Sequence, residues 1–148
     1  MKRFKFRLER ILQYRTALKN EKLRELAMKN HALNENIAIL EELQAAELLN
    51  RFEAGKTSDA SDVLLMGMYA GRLIEQIDQQ REKIKECQKE RDAALEEYVE
   101  AAKDAESLEK LKQRKKREYQ EYVDKEELKF LDELATQRGN TFQHREMQ

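Results

Sequence analysis

The chain has 148 residues, 40% of them charged, and a formal net charge of -1. Its mean hydropathy of -0.95 leaves little apolar material for a thick globular core. It has no proline and only four glycines, so helices can run long. We therefore predict an all-α protein of long helices, and the regular apolar spacing described below excludes a fully disordered chain.

The chain begins with a basic segment. The first 24 residues carry nine lysines and arginines against only Glu9 and Glu21. Within this segment Phe4 and Phe6 alternate with charged residues, and its apolar content is too small for a membrane-surface anchor. We expect these two rings to staple the open end of a helical hairpin.

Helix one is predicted over about residues 4–54. Its apolar residues fall into two stripes, Phe4, Leu8, Ile11 and Leu18, then Leu26, Leu33, Ile37 and Leu40. Between Leu18 and Leu26 the spacing is two steps of four residues. This spacing predicts a stutter, which locally unwinds a supercoil.

A turn is predicted over about residues 55–61, where turn and cap residues are dense. Gly55 suits the end of helix one, and Asp59, Ser61 or Asp62 suits the N-cap of helix two. Gly67 and Gly71 follow closely and predict a kinked or frayed first part of helix two.

Helix two is predicted over about residues 62–138, with Gly139 and Asn140 ending it and a frayed tail over 139–148. Alternate steps of three and four residues from Val63 visit mostly apolar positions, which indicates a coiled-coil seam. The seam consists of Val63, Met66, Ala70, Leu73, Ile77, Gln80, Ile84, Cys87, Arg91, Ala94, Tyr98, Ala101, Ala105 and Leu108.

Together these elements predict a single domain over residues 1–148, an antiparallel coiled-coil hairpin whose longer second helix overhangs at its C-terminal end. We expect a monomer, although a heptad seam also permits pairing between chains. The overhang keeps an apolar stripe that consists of Tyr119, Val123, Phe130 and Leu134. Because no other helix of the chain would cover this stripe, we expect it to bind another protein. Near the turn, Phe52 and Tyr69 are expected to be exposed, either for a partner or for local packing.

The hairpin would bring a second basic run, between Lys110 and Arg117, close to the basic N-terminus. Such a surface could dock an acidic protein or phosphates, or could be a solvated helix face. No nucleic-acid-binding motif accompanies it, so we expect no nucleic acid partner.

Catalytic and metal-binding patterns are missing from the sequence. His31, His144 and Cys87 lack ligand spacing, and there is no phosphate loop or nucleophile motif. We expect no enzyme activity, cofactor, metal or small-molecule substrate, and Cys87 is predicted to lie in the core. A single cysteine and the lack of a long apolar run predict a reducing, cytoplasmic location without direct membrane insertion.

Three segments resemble the FliJ family, the small coiled-coil component of the flagellar type III export apparatus. They are the opening from Phe4 to Arg15, the stretch from Tyr69 to Ile77, and the close from Glu126 to Arg138, which contains Leu131, Asp132, Glu133 and Leu134. The resemblance covers nearly the whole chain.

The resemblance implies a non-catalytic, stalk-like protein that binds the hexameric export ATPase, contacts the membrane export gate and handles export chaperones. It would lie peripherally at the cytoplasmic face of the inner membrane through these partners. We assign the ATPase contact to Arg114, Lys115, Lys116, Arg117, Tyr119, Phe130, Leu131, Asp132 and Glu133. We assign the gate contact to Leu48, Phe52, Tyr69, Leu73 and Gln76.

Three alternatives stay open at this point: an injectisome counterpart, an unrelated coiled-coil scaffold or chaperone, and a helical arm that binds nucleic acid.

Overall fold

The computed structural model describes residues 2–147. It contains two helices, α1 (Glu9–Ala54) and α2 (Ala60–Glu146), and no strand within those residues. The helices pack antiparallel, since residues early in α1 contact residues late in α2; Lys22 pairs with Glu97, for example, and Asn50 contacts Met66. The predicted hairpin with a longer second helix is confirmed, with 87 residues in α2 against 46 in α1.

The internal contacts divide the chain into two units. The turn unit is Thr16–Ala102, and the terminal unit contains the described residues up to Arg15 and from Lys103 onward. The terminal unit has 17 Lys and Arg against 12 Asp and Glu, a net charge of +5, and the turn unit has 12 against 18, a net charge of -6. The single domain predicted from the sequence stays a prediction.

The seam predicted for α2 is confirmed. Of its fourteen positions only Val63 is exposed, at 45%. The most deeply buried are Leu73, Ile77, Ala101 and Ala105, each at 5% exposure or less. The small residues let the two helices approach closely, and the regular heptads keep this face against α1 throughout.

The seam predicted for α1 is wrong in part. Ile11 is 47% exposed, and Leu12 is buried in its place. From Leu12 the buried or half-buried positions continue in steps of three and four through Arg15, Lys19 and Lys22 to Leu26, without the predicted stutter. The long basic side chains cover the seam with their alkyl stems while their charged ends reach its edge, so a search for apolar residues alone misses them.

A polar layer interrupts the core of the turn unit. The Gln80 amide donates to the Asn36 backbone carbonyl at 2.8 Å and to Asn36 Oδ1 at 2.9 Å. The Asn36 amide in turn donates to the Ala32 carbonyl at 2.8 Å and lies 3.4 Å from Cys87 Sγ. Cys87 is half-buried on the seam, as predicted. Because the Gln80 amide reaches both Asn36 oxygens only in this alignment, the layer favours one register of the two helices.

The turn matches its predicted position and uses one of the three predicted N-caps. Asp59 Oδ1 accepts the Ser61 amide at 3.0 Å, which makes Asp59 the N-cap of α2. At the end of α1 the Gly55 amide donates to the Arg51 carbonyl at 3.2 Å, and Thr57 Oγ1 to the Glu53 carbonyl at 3.2 Å. No described glycine has a positive φ, so Gly55 ends the helix without the left-handed conformation.

Both outer helix ends differ from the predictions. Residues 2–6 are not helical, and α1 begins at Glu9 instead of near residue 4. The predicted stop at Gly139 and Asn140 is also wrong, because α2 continues to Glu146. Gly139 adopts no left-handed conformation, and Thr141 Oγ1 donates to the Gln137 carbonyl at 2.7 Å within the continuing helix. A glycine costs a helix about 1 kcal/mol, which a long helix tolerates.

Candidate protein-binding surfaces

The N-terminal segment (residues 2–8) lies against α2 in the terminal unit. The rings of Phe4 and Tyr119 stand 5.7 Å apart between centroids, and the Tyr119 hydroxyl donates to the Lys2 carbonyl. Glu9, in the first turn of α1, has its two carboxylate oxygens 3.2 and 3.0 Å from the Lys112 ammonium. Phe4 precedes Glu9 by five residues, so a fully helical start would place it about five residues beyond Lys112, near residue 117. Phe4 reaches Tyr119, slightly farther along α2, because non-helical chain rises about twice as far per residue as helix.

A groove of about 1180 Å³ lies along this segment, and α2 forms part of its lining. It is lined by Lys2, Arg3, Phe4, Lys5, Phe6, Arg7, Leu8, Leu111, Lys115 and Tyr119. Phe4 and Phe6 are both half-buried here, and Phe4 contacts Tyr119 of α2 at the open end of the hairpin, as predicted for Phe4. No groove was predicted from the sequence, because a helical start would leave no separate segment to form its wall.

The basic cluster of α2 lies in the same unit as the basic N-terminus. Arg114, Lys116 and Arg117 are exposed, and Lys115 lines the groove while pairing with Glu118 at 3.4 Å. The structure therefore brings the two basic runs into one unit.

Beyond Val123, α2 no longer packs against the rest of the chain, and every described residue from 124 onward is exposed. Phe130 and Leu131 are 61% and 58% exposed, and Asp132 and Glu133 are exposed beside them. These four residues and Tyr119 were predicted to bind a partner. Tyr119 differs from the others because it is half-buried under the N-terminal segment.

Near the turn, the large apolar side chains are mostly exposed. Phe52 is 61% exposed with the Lys56 ammonium 4.1 Å from its ring centroid, and Leu48, Tyr69 and Gln76 are exposed as well. Leu73 is 3% exposed on the seam, so its predicted place in a surface contact is wrong. Sequence reasoning missed further exposed apolar residues because they lie off the seam: Leu49, Leu64, Leu65, Met68 and Ile74.

Charged pairs link the two helices along their edges. Arg15 pairs with Asp104 at 3.2 Å in the terminal unit, and Lys29 pairs with Glu90 at 3.1 Å in the turn unit. The hydrogen bond from Lys22 to Glu97, at 3.0 Å, raises the pKa of Lys22 above its ordinary value. Such exposed pairs support the hairpin weakly and leave its surface solvated.

No group of three or more metal-ligating side chains occurs among residues 2–147. His31 is exposed and pairs with Glu35 at 2.9 Å within its own helix. In the same range, neither helix contains a stretch apolar and long enough to span a lipid bilayer.

The fold and its surfaces define a class, a two-helix coiled-coil protein with exposed apolar and charged faces. The model of one family, the flagellar FliJ protein, matches residues 4–143. The chain therefore belongs to the FliJ family and is a component of the flagellar export apparatus, as its three resembling segments predicted. Comparisons with curated proteins and with solved structures gave no match.

Proposed function

We propose that this protein is a stalk-like, non-catalytic coiled coil of the flagellar type III export apparatus. Its terminal unit binds the export ATPase ring, its turn unit contacts the membrane export gate, and it handles export chaperones. These partners hold it at the cytoplasmic face of the inner membrane. The observation that carries the proposal is the family match over residues 4–143.

The terminal unit supports the ATPase contact through its charge and its free helix. Its net charge of +5 favours an acidic partner, and Arg114, Lys116 and Arg117 are exposed. Beyond Val123, α2 presents Phe130 and Leu131 to solvent, and exposed aromatic and aliphatic residues on a helix face favour docking.

The first experiment mixes the purified protein with the export ATPase of its own organism, and measures hexamer formation and ATP hydrolysis at low salt and at about 200 mM salt. We expect hexamer formation and ATP hydrolysis to rise when the protein is added to the ATPase. Reversal of Arg114, Lys115, Lys116 and Arg117 to Glu should abolish binding. A matched reversal of Arg81, Lys83, Lys85 and Lys89, which are exposed in the turn unit, should not. Unchanged affinity of the first variant would remove the ATPase contact from the proposal.

The turn unit supports the gate contact through its exposed apolar residues. Phe52 and Tyr69 stand at the surface, and aromatic side chains dominate interface energies. The double variant Phe52→Ala and Tyr69→Ala should weaken pull-down of the gate protein without lowering helicity. Met28→Ala is the control, because Met28 is 71% exposed on the same unit. Normal pull-down by the double variant would contradict the gate contact.

The chaperone role rests on family membership and is tested by pull-down of the export chaperones.

The alternative function from a different class is a helical arm that binds nucleic acid. It predicts RNA binding that falls steeply with salt, with no effect on the ATPase.

A further inference from the structure

We propose that the groove along the N-terminal segment binds an acidic peptide segment that carries large apolar side chains and belongs to a partner protein. The inference deepens the proposed function and rests on it in one respect, since the export ATPase is the expected donor of that segment.

The shape of the groove suits a peptide. Its volume of about 1180 Å³ exceeds the range of sites for single small molecules. Its apolar lining is half-buried and so keeps surface open to a ligand: Phe4, Phe6, Leu8, Leu111 and Tyr119. Two aromatic rings stand close together in this lining, Phe4 and Tyr119 at 5.7 Å. Large apolar side chains of a bound peptide would be desolvated against them.

The charge of the groove selects an acidic ligand. Five cationic side chains line it and no carboxylate does: Lys2, Arg3, Lys5, Arg7 and Lys115. Of the nearby carboxylates, Glu9 is held by Lys112 and Glu118 lies 3.4 Å from Lys115. A concave site lined by one sign of charge with low-dielectric walls focuses its field on a ligand of the opposite sign.

A protein segment fits this charge pattern better than a nucleic acid or a membrane. The positive charge is local, because α2 continues past the groove with Glu118, Glu121 and Asp124. A polyanion that followed the helix would meet these carboxylates, whereas a short peptide would contact the groove alone. A bilayer would need apolar side chains that protrude, and Phe4 and Phe6 are half-buried.

The test compares two charge reversals of the full-length protein in binding to the purified export ATPase, followed by fluorescence anisotropy. Lys5→Glu with Arg7→Glu changes the groove. Lys83→Glu with Lys89→Glu makes the same change in net charge on exposed residues of the turn unit. We expect the groove variant to raise Kd about tenfold or more and the control to bind like the wild type. Equal binding by the two variants would overturn the inference.

A second variant, Phe6→Ala, removes apolar lining without changing charge, and its helicity by circular dichroism shows that the fold is kept. It should also raise the Kd for the ATPase. Normal binding by Phe6→Ala would overturn the apolar part of the inference.

Failure of the proposed function is separable from failure of this inference. If the wild type does not bind the ATPase, the proposed function fails, and a labelled synthetic peptide of alternating glutamate and leucine then tests the groove by itself. Binding of this peptide, lost in the groove variant and absent for a lysine–leucine peptide, supports the inference. No binding overturns it. Groove-dependent binding of single-stranded RNA or of phosphatidylglycerol vesicles, tighter than that of the acidic peptide, overturns the choice of partner.

Discussion

Gln80 and Asn36 are amides in a seam whose other positions are largely apolar, and the hydrogen bonds that Gln80 donates to Asn36 explain why both are tolerated. Gln80 is 6% exposed, and its amide is the donor to both the carbonyl and the side-chain oxygen of Asn36. Gln80→Leu would leave the half-buried Asn36 Oδ1 without its donor, whereas the Asn36 carbonyl would keep its intrahelical hydrogen bond. We expect a loss of about 1–3 kcal/mol in the free energy of unfolding, measured by urea denaturation.

Gln79→Leu is the matched control, because Gln79 is the neighbouring residue and is exposed. We expect it to change stability by less than about 0.5 kcal/mol. The double variant Asn36→Leu and Gln80→Leu should recover stability, since it removes both amides, but should lose the unique register. A single Gln80→Leu variant as stable as the wild type would show that the hydrogen bonds from Gln80 do not stabilise the fold.

Lys22 shows how one charged pair responds to pH. Its pKa lies above the ordinary value of 10.5, first because Glu97 accepts its hydrogen bond; desolvation opposes this rise, and the nearby charges of Glu25 and Glu97 add to it. A raised pKa in the folded state means that the stabilisation is fully present below the ordinary pKa and is lost as pH rises through the folded value.

We therefore expect Glu97→Gln to lower the pKa of Lys22 toward 10.5, measured by NMR titration of its side chain. The stability difference between this variant and the wild type should be present at neutral pH and should fade above the pKa of Lys22. Glu96→Gln, an exposed neighbour, serves as the control. An unshifted Lys22 in Glu97→Gln would show that the pair does not persist in solution.

At the scale of the elements, the start of α2 depends on one side chain. Asp59 Oδ1 accepts the Ser61 amide, and the Asp59 carbonyl accepts the Val63 amide at 3.0 Å. Asp59→Ala removes the first of these bonds and should lower stability by about 0.5–2 kcal/mol in thermal or urea unfolding. Ser61→Ala keeps the amide that donates and should have little effect. An equal loss in the two variants would contradict the assignment of Asp59 as the N-cap.

The sequence predicts α2 better than α1 for a physical reason. The α2 seam consists mainly of Ala, Leu and Ile, so its heptad periodicity can be recognised from the apolar residues of the sequence. The α1 seam contains the half-buried Arg15, Lys19 and Lys22, and a pattern of apolar residues passes over such long basic side chains.

Some residues of the candidate binding surfaces could be predicted from the sequence and others could not. The exposure of Phe52 and Tyr69 followed from their positions beside the seam, whereas Leu73 lies on the seam and therefore in the core. The groove could not be predicted, because it exists only where residues 2–6 leave the helical path. Nothing in the structure explains Gly67 and Gly71: both lie inside α2, neither has a positive φ, and a Cβ at either position would meet open space.

At the scale of the whole molecule, a net charge near zero conceals two units of opposite charge. The terminal unit carries +5 and the turn unit -6. The turn unit also contains the exposed Leu48, Phe52 and Leu64, so apolar contact should dominate its binding. The basic groove and the cluster from Arg114 to Arg117 make charge dominant in the terminal unit.

The two proposed contacts should therefore respond differently to salt. Exposed charges are screened over a Debye length of about 10 Å at 0.1 M salt, whereas apolar burial is not weakened by moderate salt. Raising salt from about 50 to 200 mM should slow association with the ATPase and raise its Kd, and should leave the affinity for the gate protein nearly unchanged. Surface plasmon resonance with each partner measures both. If gate binding fell as steeply as ATPase binding, charge rather than the apolar surface near the turn would be the source of that contact.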